Sequence, residues 1–183
     1  MNPWVWVVVV LAILVIAGAA GYYYITRRRS QLRSRFGTEY DNAVREYGNR
    51  WRAEQHLLRR ERRVERLQIR TLPPEDRQRF ADEWRACQAL FVDNPKEAVS
   101  RADRLVGEVM KARGYPVANF EQRVEDISVD HPAVVQNYRA ARAIAERHER
   151  GEASTEDLRK AVVFYRALFE ELLGAPVHEE VHR

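Results

Sequence analysis

Residues 72–95 read LPPEDRQRFADEWRACQALFVDNP. Within this stretch Phe80, Trp84, Cys87 and Phe91 recur at steps of four, three and four. That spacing puts all four on one side of an α-helix and on alternating sides of a strand, so it predicts a helix with one apolar face. Pro74 suits the first helical turn, where no amide hydrogen is needed, and Glu75 and Asp76 complement the positive end of the helix. Asp93-Asn94-Pro95 closes it and opens another.

Working toward the C-terminus, Ala98, Ala102, Leu105 and Val109 form the inner face of the next helix, and Gly114 stops it before a Tyr115-Pro116 turn. NFEQRVEDI reads as a short helical piece. Asp130 is placed to cap the helix that follows, with Pro132 in its first turn. Val134 or Val135, with Tyr138, Ala141 and Ala145, carries that helix to Gly151. Ser154 and Asp157 offer a capping-box variant for the last helix, whose apolar face is Leu158, Val162, Tyr165, Phe169 and Leu172. No stretch alternates with period two. The expected class is all-α: an antiparallel bundle of about four main helices over residues 73–174, followed by a tail at 175–183.

Working toward the N-terminus, residues 27–72 hold 14 arginines against 6 acids, whereas residues 73–183 carry 17 basic and 21 acidic groups. The overall charge of +4 therefore belongs to one zone, and the distal part is mildly acidic. Residues 30–70 read as one long basic helix or two nearly collinear ones, a stalk at 27–72 whose stripe is Leu32, Phe36, Tyr40, Val44, Tyr47 and Trp51. Gly37 and Gly48 mark candidate bends. The heptad pattern is not sustained, which argues against a coiled coil. Arg59 to Arg66 interleave with acids at helical spacing, as on a salt-bridged exposed helix, so no nucleic-acid partner is expected, although an arginine-rich stalk is also the form of a nucleic-acid binder.

Ahead of that zone, Trp4 to Ile25 reads WVWVVVVLAILVIAGAAGYYYI without a charge. A helix of this length spans about 33 Å, enough for the hydrocarbon core of a bilayer. Residues 1–26 are thus expected to be a transmembrane anchor. Trp4 and Trp6 mark one interface, and Tyr22, Tyr23 and Tyr24 the other. Arg27, Arg28, Arg29, Arg33 and Arg35 follow at once, and the other flank has no basic side chain. By the positive-inside rule the N-terminus faces out, and the remainder lies at the cytoplasmic face of the plasma membrane. The competing expectation is export with a cleaved signal peptide, for which AGAAG supplies small residues. The long apolar run and the lack of a basic n-region argue against it. Ala17 and Gly21 make one small-xxx-small pair through which, or through the stalk, two copies could associate.

Chemistry is sparse. His178-Glu179-Glu180-Val181-His182 spells the H-E-x-x-H zinc motif of a metal-dependent hydrolase. It follows Gly174 and Pro176 in a segment too short to hold a helix alone, with one residue after it, so a solvated acidic tail is the preferred reading. Cys87, on an apolar face between Trp84 and Phe91, reads as a buried thiol. Glu125-Asp126 and Glu170-Glu171 read as solvated faces, and His131 as a local residue at a helix start. No catalytic residue, metal ligand or cofactor is expected.

FGTEYDNAVREYG, LPPEDRQRFADEWRACQALFVDNPKEAV, RGYPVANFEQRVEDISVDHP and TEDLRKAVVFYRALFEELL together cover about residues 36–173. They resemble a family of bacterial proteins described as secreted or single-pass membrane proteins. The resemblance implies no particular activity, cofactor or catalytic residue. The expected function is therefore that of a non-catalytic protein, anchored in the lipid bilayer, whose bundle docks a protein partner. The irregular turn chemistry between Tyr115 and Pro132 points to Tyr115, Pro116, Phe120, Asp130 and His131 as the docking residues.

Overall fold

The computed structural model describes residues 3–174. The tail at 175–183, with its His178–His182 motif, lies outside the described residues. Among the described residues the chain forms eight helices and no strand. These are α1 (Pro3–Phe36), α2 (Thr38–Tyr47), α3 (Arg50–Val64), α4 (Pro74–Asp93), α5 (Pro95–Arg113), α6 (Phe120–Asp130), α7 (Pro132–Glu149) and α8 (Thr155–Leu173). The chain divides into two compact units, Met1–Leu57 and Leu58–Arg183. The division falls inside α3, earlier than the 72/73 boundary that composition suggested.

In the first unit, α1 runs unbroken from its apolar part into the arginines. It is long and apolar enough to cross a membrane, and the apolar window is unburied. Thr26 donates its hydroxyl to the Tyr22 and Tyr23 carbonyls, which satisfies that polar group inside the helix. The single stalk helix does not form. Gly37 (φ 51°) and Gly48 (φ 64°) adopt left-handed backbone and interrupt it twice. Arg29 of α1 and Tyr40 of α2 both meet Glu54 of α3, at 3.3 and 2.9 Å, so the segment converges on itself instead of running on collinearly. Leu32, Phe36 and Tyr40 are buried, and Val44 and Tyr47 are half-buried. Trp51 leaves the expected stripe and is 65% exposed. The break at Gly48 resets the helical phase before it.

The second unit holds the bundle. It has four long helices, α4, α5, α7 and α8, with the short α6 between α5 and α7. Helix α8 packs against both α7 and α5, α5 against α4, and α6 against α7. Trp84 and Phe169 stack with centroids 4.6 Å apart, tying α4 to α8. Tyr138 and Tyr165, both fully buried, meet edge to face at 6.1 Å and tie α7 to α8. The termini are specified locally. Asn94 accepts from the Glu97 amide, and Ser154 and Asp157 complete a capping box. Gly114 ends α5 at φ 96°, and a Cβ there would stand 2.6 Å from the Gln68 carbonyl oxygen. Only glycine fits both the backbone and the space.

Several polar expectations are corrected here. Arg60 is 3% exposed and lies 3.4 Å from Glu125. Arg63 reaches Glu125 at 2.7 Å and Asp126 at 2.8 Å. The Arg59–Arg66 stretch therefore turns two arginines inward onto α6, and Asp126, expected on a solvated face, is fully buried. Its carboxylate also accepts from the Gln122 amide. Asp130 does not cap α7. His131 occupies the N-cap position without a side-chain cap bond, and Asp130 instead accepts from Tyr115. His131 is not local either, since its Nδ1 bonds Glu171 of α8 at 2.9 Å.

Candidate membrane interface and two polar clefts

The apolar helix presents Trp4, Trp6, Tyr22, Tyr23 and Tyr24 to the exterior, all well exposed. Amphipathic rings at both ends of such a span suit the boundary between hydrocarbon and water. Arg27, Arg28, Arg29, Arg33 and Arg35 are likewise exposed, one to three turns further along the same helix. Arg27 and Arg28 make no ion pair among the described residues, Arg29 pairs with Glu54, and Arg33 lies 3.7 Å from Asp41.

Beside these arginines lies a cleft of about 380 Å³, lined by residues that include Arg29, Ser30, Arg33, Tyr40, Asp41 and Arg50. Three helices build it. Residues 29, 30 and 33 share one side of α1, Gly37 returns the chain so that Tyr40 faces them, and Gly48 places Arg50 at the first turn of α3. Burial, with help from Glu54, pushes the Tyr40 hydroxyl above its ordinary pKa, so it remains a donor at neutral pH. Arg50 was not singled out by the sequence. Its signal was present only as a glycine followed two positions later by an arginine.

The five residues expected to dock a partner fall into separate bonded groups. Tyr115 is 2% exposed, and its hydroxyl donates to Asp130 at 2.8 Å. Burial, then that carboxylate, raises its pKa well above the ordinary phenol value. His131 bonds Glu171 and approaches Arg113, which donates to the Leu172 carbonyl. Phe120 packs on Tyr138 with centroids 4.9 Å apart. Pro116 is exposed, as is its neighbour Val117. The turn is thus fixed to the bundle by its ends while its tip faces solvent.

A second cleft, of about 230 Å³, opens among α5, α7 and α8, with Ser100, Asp103, Arg142, His148 and Tyr165 in its lining. Asp103 Oδ1, His148 Nδ1 and the Tyr165 hydroxyl have no hydrogen-bond partner among the described residues. Tyr165 approaches Asp103 without reaching hydrogen-bond geometry, and burial followed by that negative charge lifts its pKa far above the ordinary value. Cys87 is buried with its sulfur 3.2 Å from the Ala98 carbonyl oxygen, and burial raises its pKa, which makes it a weak nucleophile. Among the described residues, no three His, Cys, Asp or Glu side chains gather as a metal site requires.

No protein-family model matches the chain, and no curated protein or solved structure matches it either.

Proposed function

We propose that the protein is a single-pass membrane protein, without catalytic activity of its own, that holds a helical bundle at the cytoplasmic membrane face for a protein partner. The observation that carries this reading is the continuity of α1. One unbroken helix joins an unburied apolar stretch, aromatic residues and an arginine cluster in that order. An apolar helix that the protein itself leaves uncovered is destabilised in water and stabilised in lipid. The one-sided arginines support retention of the distal part in the cytoplasm. Partner docking is assigned to the turn tip around Pro116 and Val117, positioned by the Tyr115–Asp130 and His131–Glu171 bonds.

The test is a topology reporter fused after Glu180, combined with alkaline extraction of membranes. Cytoplasmic signal from a chain that resists extraction supports the proposal. A periplasmic signal, or mature protein lacking its first two dozen residues, would replace it with the exported alternative. Capture of a partner by the wild type but not by a variant with altered Pro116 and Val117 would support the docking surface.

A further inference from the structure

We propose that the juxtamembrane cleft of Arg29, Ser30, Arg33, Tyr40 and Arg50 binds the phosphate of an anionic lipid headgroup. The inference rests on the anchor reading above, because the anchor sets the depth of the cleft. At the helical rise, Arg29 and Arg33 lie about 6 and 12 Å beyond Ile25, the last apolar residue of the span. The headgroup layer extends roughly 5–8 Å outside the hydrocarbon core. Side chains on a helix lean toward its N-terminus, which here is the membrane side, so both guanidinium groups tilt back into the phosphate layer.

The charge inside the cleft fits the same ligand. Glu54 engages Arg29 through a single 3.3 Å contact, and Asp41 stands 3.7 Å from Arg33 with both side chains largely exposed. A guanidinium carries five N–H donors, so most of those on Arg29 and Arg33 stay available. Arg50 makes no ion pair among the described residues. The two carboxylates balance two of the three arginines, and one positive charge is left over. A phosphodiester monoanion supplies the single negative charge that neutralises it. Arg50 also sits in the first turn of α3, at the positive end of that helix's dipole. Arg27 and Arg28 lie on other sides of α1 from the Arg29–Ser30–Arg33 arc. They provide an internal control, because diffuse attraction to an anionic surface would use them equally.

The experiment uses the full chain in membranes of phosphatidylcholine mixed equally with phosphatidylglycerol. Lipid retained by the released protein is quantified by mass spectrometry. The wild type is expected to retain phosphatidylglycerol selectively. Arg50→Gln should lower that retention about five-fold or more, as loss of one basic contact at a membrane surface implies. Arg27→Gln with Arg28→Gln, though it removes more charge, should lower retention less than Arg50→Gln does. Equal loss in the two variants would reduce the site to diffuse surface attraction and overturn the proposal. Unchanged retention in Arg50→Gln would also overturn it, and a wild-type circular-dichroism melt confirms that this variant folds. Displacement of the lipid by millimolar inorganic phosphate would assign the cleft to a free phosphate and overturn the lipid assignment. Resistance of every variant to alkaline extraction from pure phosphatidylcholine keeps the anchor reading intact whichever way the cleft behaves. Extraction of the wild type there would break the anchor reading itself.

Discussion

Helices α4 to α8 enclose Trp84, Tyr138, Tyr165 and Phe169 in a continuous apolar core. Among the described residues, the unit that ends at Leu57 buries six apolar side chains, namely Leu32, Phe36, Tyr40, Ala43, Ala53 and Leu57. It converges through Arg29, Tyr40 and Glu54. Both units are helical, yet different forces hold them. Burial of large side chains dominates in the bundle and is insensitive to salt. Partly exposed ion pairs and one phenol hydrogen bond matter more in the first unit, where salt screens them and local opening is easier.

The widest test of this contrast is Trp84→Ala. Loss of the Trp84–Phe169 stack should destabilise the bundle by about 3–5 kcal/mol, read as a lower denaturation midpoint of the full chain. A much smaller change would mean that the core is less cooperative than its packing suggests. Arg63→Ala comes next. It deprives the fully buried Asp126 of its cation, and the expected cost is about 3 kcal/mol. Here a buried charge behaves like a core residue, and added salt should not reproduce the effect. Gly114→Ala should cost about 1–3 kcal/mol because positive φ and the Gln68 carbonyl both oppose a methyl group.

Tyr40→Phe probes the other side of the comparison. Its hydrogen bond to Glu54 is worth about 1 kcal/mol, and the expected sign is faster proteolysis near Gly37 and Gly48 with an unchanged bundle melt. The smallest effect concerns pH. Hydrogen bonds from Ser154 hold the Asp157 carboxyl below its ordinary pKa. A depressed folded-state pKa contributes stability above the unfolded value and loses it as pH falls through the folded one. The start of α8 should therefore loosen only below about pH 4, detectable as faster amide exchange near Ser154. Loosening already at pH 6 would contradict the capping assignment.

Local signals carried much of the bundle. The four-three-four spacing of Phe80, Trp84, Cys87 and Phe91, the Asp93-Asn94-Pro95 break, the Gly114 stop and the Ser154–Asp157 box each act over a few residues, and each appears in the structure. Long-range polar pairs were not legible. Arg63 and Asp126 are 63 positions apart, and His131 and Glu171 are 40 apart. Charge patterning along a helix sees only neighbours three and four residues away, so Arg60 and Arg63 looked like solvent-facing arginines. Trp51 was misplaced for a related reason. A stripe extrapolated across Gly48 assumes a helical phase that left-handed backbone at that glycine resets.

By itself, the order of residues determined the helical class, the apolar span and the segregation of arginine beside it, because periodicity, capping and hydropathy act over a few residues at a time. Tertiary structure decided that the basic segment turns back at its glycines, that two of its arginines serve the bundle, and that Arg50 joins Arg29 and Arg33 around one cleft. Those outcomes depend on which distant groups come within a few ångströms, where Coulomb attraction and hydrogen bonding first become large.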